Sequence, residues 1–89
     1  MAWRIEFTPA AQLEFAKLDR QNAIRIVKYL KDTVSSCSDP RKRGKGLTDN
    51  FSGLWRYRVG DYRVICEIKD DHLVLLVVRI NHRSTFYKK

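Results

Sequence analysis

The stretch from residue 54 to residue 80 constrains the fold more than any other part of the chain. Gly60-Asp61 is a two-residue turn signal between two segments rich in apolar residues, the pattern of a β-hairpin. A second turn signal, Asp70-Asp71, precedes an apolar run from Leu73 to Val78, which is typical of a strand buried on both faces. These signals predict three consecutive strands in a mainly antiparallel sheet, at residues 54–59, 62–69 and 72–80.

The first 36 residues are predicted to add one strand and two helices. Apolar and charged side chains alternate over residues 2–7, which predicts a half-buried strand. Thr8 is a good helix N-cap and Pro9 fits the first helical turn, so a helix is predicted from here to about Leu18. Asp19 can cap a second helix. The apolar residues of this second helix recur at spacings of three and four and are predicted to face the sheet: Ala23, Ile24, Val27, Leu30 and Val34.

The predicted fold class is α+β, with the element order β-α-α-β-β-β. A two-helix hairpin packs on one face of a small, mainly antiparallel four-stranded sheet, and residues 1–89 form a single domain. The longest apolar run is far shorter than the ~18 residues needed to cross a bilayer, so no membrane association is expected. The opposite, helix-free face of the sheet is the expected location of a functional site.

The positive charge of the chain is concentrated in its second half. The net charge is +8, of which residues 41–89 carry +7. Such a directed field attracts polyanions, among them nucleic acid, an acidic protein or an anionic membrane, although a merely soluble basic surface explains the charge equally well. Part of it lies in a loop with two glycines, predicted to clamp a phosphate backbone, whose cations are Arg41, Lys42, Arg43 and Lys45.

Arginines also alternate along the predicted hairpin. Arg56 and Arg58 lie on the same face of their strand, about 6–7 Å apart, which is close to the spacing of successive phosphates. Across the Gly60-Asp61 turn, Arg58 is predicted to lie directly opposite Arg63. Like charges in this position destabilise a sheet unless an anion lies between them, so the pair indicates an anion-binding site.

The C-terminal segment contributes a histidine, an arginine and a tyrosine: His82, Arg83 and Tyr87. Together they provide an acid or base, an anion-binding group and a stacking ring. No cluster of carboxylates suits a catalytic metal, so no metal or other cofactor is expected. A nuclease without a metal would act on RNA, whose own 2′-hydroxyl can attack the neighbouring phosphate.

The two cysteines, Cys37 and Cys66, show no metal-ligand spacing. They are interpreted as buried or half-buried free thiols in a reducing cytoplasm, although the sequence leaves a bond between them open.

The chain resembles the RelE/ParE superfamily of type II toxins along essentially its whole length. The likeness lies in residues 7–19, in the stretch from Gly53 to Val64 and in the ending from Asn81 to Tyr87. Within the superfamily it looks closer to RelE, a ribosome-dependent mRNA interferase, than to ParE, a gyrase poison. The resemblance implies a RelE-like fold, cleavage of mRNA in the ribosomal A site, and inhibition by a cognate antitoxin.

The resemblance also implies roles for individual residues. Arg56 and Arg58 match two lysines of RelE that contact the mRNA backbone and support proton abstraction. Arg63 matches the arginine that stabilises the transition state, Arg83 one that acts on the leaving side, and Tyr87 a tyrosine that stacks on the substrate. Because arginine effectively never deprotonates, the proton transfer is assigned instead to His82, with Tyr87 as the alternative.

The function predicted is that of a cytoplasmic, metal-independent endoribonuclease acting on mRNA within the translating ribosome. Its expected partners are ribosomal RNA, bound by the loop at 41–45, and a small antitoxin that is acidic where it contacts this chain. The antitoxin is expected to lay an amphipathic helix across the sheet or against the helices. The alternatives are a ParE-like gyrase poison, a non-catalytic nucleic-acid-binding module and an inactive family member.

Overall fold

The computed structural model describes residues 3–36, 40–47 and 53–82. Its helices and strands, in chain order, are β1 (Arg4–Phe7), α1 (Pro9–Ala16), α2 (Arg20–Ser36), β2 (Lys45–Gly46), β3 (Trp55–Val59), β4 (Tyr62–Lys69) and β5 (Val74–His82). Single 3₁₀ turns at Pro40–Lys42 and Asp70–His72 precede β2 and β5. No helix in the described part of the chain is long and apolar enough to span a membrane.

The sheet has five strands in the order β1-β5-β4-β3-β2. β1 pairs with β5 in parallel, and the other three pairings are antiparallel. The predicted α+β class is confirmed, but the predicted count of four strands is wrong. The fifth strand, β2, contains only two residues, too few for any alternation to show in the sequence.

The start of α1 follows the predicted capping pattern. Thr8 is extended, and its hydroxyl accepts a hydrogen bond from the Ala11 N–H at 3.1 Å, with Pro9 in the first turn. The Asp19 carboxylate accepts one from the Asn22 N–H at 3.1 Å at the start of α2. Both helix boundaries therefore follow from local hydrogen bonding, as the sequence indicated.

The core lies between the helices and one face of the sheet. Ile26 and Leu30 of α2 and Ala11 of α1 are fully buried against strand residues that include Tyr57 and Val64. The predicted stripe of α2 is partly wrong, because Ile24 is 57% exposed; Leu13 of α1 is 67% exposed as well. α2 carries more apolar surface than the sheet covers, and the side chain of Val34 lies outside the described residues.

The interpretation of Cys66 as a buried free thiol is confirmed. Burial raises the pKa of this thiol, because the apolar core disfavours the thiolate. Cys37 lies outside the described residues.

Candidate functional site

The helix-free face of the sheet carries its excess positive charge at one end. Arg58 and Arg63 share a row across β3 and β4, and the register extends that row to Asn81 of β5. In the adjacent row, Arg56 lies between Lys45 of β2 and Ile65 of β4. Arg79 of β5 lies next to Ile65 in the same row. We call this set the cationic face: Lys45, Arg56, Arg58, Arg63 and Arg79.

The other end of the same face is electrically balanced. Arg4 pairs with Glu6 at 3.1 Å, and Lys69 lies 3.7 Å from Glu67. Among the described residues the charge asymmetry therefore belongs to one end of the face. An anionic ligand would be drawn to that end.

The predicted juxtaposition of Arg58 and Arg63 is confirmed by the register. Val59 pairs with Tyr62 across the two-residue turn, which makes Arg58 and Arg63 direct cross-strand neighbours. The three arginines differ in exposure: Arg63 is only 1% exposed, whereas Arg58 is exposed and Arg56 is half-buried. Arg58 and Arg56 are thus the more accessible of the three arginines.

Arg79 is a member of the cationic face that the sequence analysis missed. A register irregularity lies between Ile65 and Cys66, whose partners in β5 are Arg79 and Val77, and it leaves Val78 as an extra residue. Such a bulge shifts the alternation of β5, so the face of Arg79 could not be inferred by counting. The only available signal was that Arg79 is the first charged residue after the apolar run.

Glu14 of α1 holds Arg79 and the adjacent backbone in place. Its carboxylate accepts hydrogen bonds from Arg79 Nε at 2.9 Å and from the Ile80 N–H at 2.6 Å, and it lies 2.8 Å from Arg79 Nη2. These bonds raise the pKa of the Arg79 guanidinium. β1 ends at Phe7, opposite Val77, so Glu14 satisfies a backbone donor of β5 just beyond the end of that pairing.

The four cations of the basic loop lie in different surroundings. Arg41 donates to both carboxylate oxygens of Asp70, at 3.0 and 2.8 Å. Lys45 belongs to β2 and joins the cationic face, while Lys42 and Arg43 are exposed. Two of the four cations therefore have a place in the fold: Arg41 binds Asp70, and Lys45 lies in the sheet.

The loop is fastened to β3 through two aromatic side chains. The buried Tyr57 hydroxyl donates to the Pro40 carbonyl at 2.8 Å, and the Trp55 indole N–H donates to the Arg43 carbonyl. Both bonds originate from the core-facing side of β3. The position of Lys45 next to Arg56 is thus supported by the core.

The Arg41–Asp70 pair has a testable pH dependence. The two bonds from Arg41 lower the pKa of Asp70 in the folded protein. A carboxyl group whose pKa is lowered by folding stabilises the folded protein at pH values above its unfolded-state pKa of about 4. This contribution is lost as the pH falls through the folded-state pKa. We expect Asp70→Asn to be less stable than the wild type in urea at pH 7, and the difference between the two proteins to be smaller at pH 3.

Asp71→Asn removes the same charge one residue later and is the matched control. It is expected to unfold like the wild type at both pH values. An Asp70→Asn variant whose urea midpoint equals that of the wild type at pH 7 would show that the Arg41 bonds contribute nothing.

The register does not bring His82 together with the arginines. His82 pairs with Tyr62, and the two rings meet edge to face with centroids 5.2 Å apart. Because Tyr62 has the opposite pleat phase to Arg63, it is Asn81 that shares the face of Arg63. Arg83 and Tyr87 lie outside the described residues. Within the described ranges, no three His, Cys, Asp or Glu residues form a group that could hold a metal ion.

Comparisons with known proteins place the chain among toxins of toxin–antitoxin systems. Residues 5–87 match the family described as ParE toxin of type II toxin–antitoxin system, parDE. The chain is 27% identical over 89 residues to toxin RelG of Mycobacterium tuberculosis, with both chains fully covered. It is 28% identical over 86 residues to toxin RelE of the same organism, covering 97% of this chain and 87% of that one.

A solved structure agrees with the fold. In the toxin–antitoxin complex RelBE2 from Mycobacterium tuberculosis, one chain superposes with a TM-score of 0.82, at 26% identity and 94% coverage of each chain. The chain therefore belongs to the ParE toxin family of type II toxin–antitoxin systems, within the RelE/ParE superfamily.

Proposed function

We propose that this toxin is an endoribonuclease that cleaves mRNA in the ribosomal A site and so stops translation. The single observation that carries the proposal is the cationic face, in which Arg58 and Arg63 are direct cross-strand neighbours despite their like charge. Like charges directly opposed destabilise a sheet unless an anion lies between them, so the pair supports a phosphate site at which the exposed Arg58 is the accessible arginine. The relatives named RelE and RelG support the same function.

The proposed chemistry uses the RNA as its own nucleophile. The 2′-hydroxyl oxygen attacks the adjacent phosphorus, and the P–O5′ bond breaks. The 2′-hydroxyl proton passes to a base, and the departing 5′ oxygen receives a proton. The products are a 2′,3′-cyclic phosphate and a 5′-hydroxyl, and the reaction needs no metal.

The arginines would stabilise the negative charge that develops during this reaction. The pentacovalent phosphorane carries more negative charge on its oxygens than the ground state does, and fixed guanidinium groups stabilise it. Arg56 and Arg58 would bind the backbone and Arg63 would stabilise the transition state. Arg83 would act on the leaving side, and Tyr87 would stack on the substrate.

Proton transfer remains assigned to His82 as a proposal, because neither Arg56 nor Arg58 can give up a proton. His82 lies at the last residue of β5, one position beyond Asn81 of the arginine face. Its ring meets that of Tyr62 on the opposite pleat phase, so the assignment requires the scissile phosphate to bind at the end of the sheet. The cations at 41–45 would contact ribosomal RNA, with Lys42 and Arg43 exposed for that purpose.

A cognate antitoxin is the proposed inhibitor, acting in the cytoplasm where the ribosomes are. The RelBE2 relative was solved as a toxin–antitoxin complex. On this chain, an open groove of about 440 Å³ on the outer side of α2 supports the docking of an antitoxin helix. Its lining combines apolar residues with two lysines and one aspartate: Phe15, Ala23, Ile24, Val27, Lys28, Lys31 and Asp32. An amphipathic helix with acidic flanks would match this surface.

The test is primer extension on a message that is being translated. The wild type is expected to produce cuts at codon boundaries. Arg63→Lys keeps the charge but loses the forked geometry, and is expected to cut at least tenfold more slowly. His82→Gln is expected to lose about 10²- to 10⁴-fold, the usual contribution of a general acid or base.

The outcomes separate the residue roles. If His82→Gln cuts like the wild type while Arg63→Lys is impaired, charge stabilisation dominates and the assignment of His82 is wrong. If the wild type makes no cuts on any translated message, the ribonuclease proposal is wrong.

A second candidate function is poisoning of DNA gyrase, which the match to the ParE family favours. A supercoiling assay tests it directly. We expect the purified toxin to leave gyrase activity unchanged. Inhibition of supercoiling without any RNA cleavage would establish the gyrase function instead.

A further inference from the structure

A cavity of about 310 Å³ lies at the outer edge of β3. Its lining combines cations of the cationic face with a glycine and one aromatic residue of α2: Lys45, Arg56, Arg58, Gly44 and Tyr29. The volume is at the lower end of the range for small-molecule sites. We call it the edge cavity. Three cations suit a phosphate, and the aromatic ring is the one part of the lining that suits a base.

The ring of Tyr29 is held in place by a fixed neighbour. Tyr29 is half-buried and meets the Tyr57 ring edge-on, with centroids 6.0 Å apart and an interplanar angle of 61°. Tyr57 is itself fully buried, and its hydroxyl donates to the Pro40 carbonyl. Tyr29 is therefore a preorganised surface, because its position depends on core packing.

The direction of α2 brings Tyr29 to the same edge as the arginines. Arg25 precedes Tyr29 by four residues and so lies one turn earlier on the same side of the helix. Its guanidinium lies over the β3–β4 turn, since a Cβ on Gly60 would be 2.7 Å from Arg25 Nη1. α2 thus runs along β3, with Arg25 near the turn and Tyr29 near the middle of the strand.

We propose that Tyr29 stacks on a base of single-stranded RNA whose adjacent phosphate is bound by Arg56, Arg58 and Lys45. This inference rests on the proposed function and adds a positioning residue to it. Phosphate contacts alone carry no base information, whereas an aromatic surface contacts the base directly. Tyr29 therefore sets the position of the message and contributes to base preference at the nucleotide next to the bound phosphate.

The test is binding of short RNA by variants of Tyr29. The probes are fluorescent hexanucleotides of adenosine or uridine with 2′-O-methyl groups, which block the cleavage reaction, measured by anisotropy at one fixed salt concentration. Tyr29→Met removes the ring but keeps an apolar side chain of adaptable shape, and is expected to bind about tenfold to a hundredfold more weakly. It is also expected to lose any preference between the two probes. Tyr29→Phe keeps the ring and is expected to bind within about twofold of the wild type.

Leu13→Ala is the matched control. It removes an apolar side chain of α1 that is 67% exposed and does not line the edge cavity. It is expected to bind both probes like the wild type. Wild-type binding by Tyr29→Met would overturn the proposal, and so would equal losses in Tyr29→Met and Tyr29→Phe, which would assign the effect to the hydroxyl.

A second measurement needs no variant. The ring resonances of Tyr29 in the wild-type protein are expected to shift upfield when the adenosine probe is added, and unchanged resonances at saturating probe would overturn the proposal.

Cleavage of a translated message distinguishes this inference from the proposed function. If the wild type cuts and Tyr29→Met cuts the same positions at the same rates, Tyr29 plays no part and the ribonuclease function stands. If the wild type does not cut but probe binding depends on the ring, the subsite stands and the ribonuclease function falls.

Discussion

Arg58→Glu is expected to inactivate the toxin and to make it more stable. The exposed Arg58 lies directly across from the buried Arg63, so the substitution replaces a like-charge pair with an opposite-charge pair. Opposite charges in this position stabilise a sheet by about 0.2–1 kcal/mol, and like charges destabilise it. Cleavage of a translated message is expected to fall at least a hundredfold, because the new carboxylate repels the phosphate.

Urea unfolding and primer extension on the same preparation measure the two effects. Lys69→Glu is the matched control, since Lys69 is a cation on the same face at its balanced end. The control is expected to cut like the wild type and to lose at most about 0.5 kcal/mol, because an exposed ion pair contributes little. Reduced stability together with normal cleavage in Arg58→Glu would show that the arginine pair is structural.

Gly44→Ala is expected to cost about 2–5 kcal/mol of unfolding free energy. Gly44 has φ of +77°, and a Cβ there would lie 2.3 Å from the Arg56 carbonyl oxygen and 2.8 Å from Trp55 Nε1. The left-handed conformation costs about 1–2 kcal/mol without glycine, and overpacking against backbone adds about 1–3 kcal/mol. The segment from Pro40 to Gly46 would have to move away from β3.

Gly53→Ala separates the two contributions. Gly53 also has a positive φ, of +91°, but a Cβ there meets no atom of the described residues within 4 Å. It is expected to lose only the conformational part, about 1–2 kcal/mol, and to leave RNA binding unchanged. Gly44→Ala is expected to weaken RNA binding as well, because the edge cavity would lose Lys45. Equal unfolding free energies for the two variants would show that Gly44 is not tightly packed against β3.

Most elements of the fold could be predicted because their signals are local. The Thr8 cap and the Gly60-Asp61 turn each depend on a few adjacent residues, and both are confirmed. The predicted strand at 72–80 is shifted, because residues 70–72 form a 3₁₀ turn and β5 runs from Val74 to His82. This 3₁₀ turn ends at Leu73, which has φ of 53°, an uncommon conformation for a branched apolar residue that its sequence does not signal.

The residues of the candidate site also divide into those that local sequence signals predict and those that they do not. Arg56 and Arg58 follow from alternation within one strand, and the neighbourhood of Arg63 follows from the length of one turn. The places of Arg79 and Lys45 depend on a bulge and on a two-residue strand, and Arg41 binds a partner 29 residues away. Tyr29 reaches the site only through the direction in which α2 crosses the sheet.

The amino-acid sequence alone determined the two-helix layer, the hairpin and the cross-strand pairing of Arg58 with Arg63. Backbone geometry converts such short spacings directly into structure. Only the tertiary structure decided which further side chains join these arginines. Packing of α1 and α2 against the sheet brought Glu14 to Arg79 and Tyr29 to the edge of β3. Those contacts arise from the burial of apolar surface between distant segments, which has no fixed spacing in a sequence.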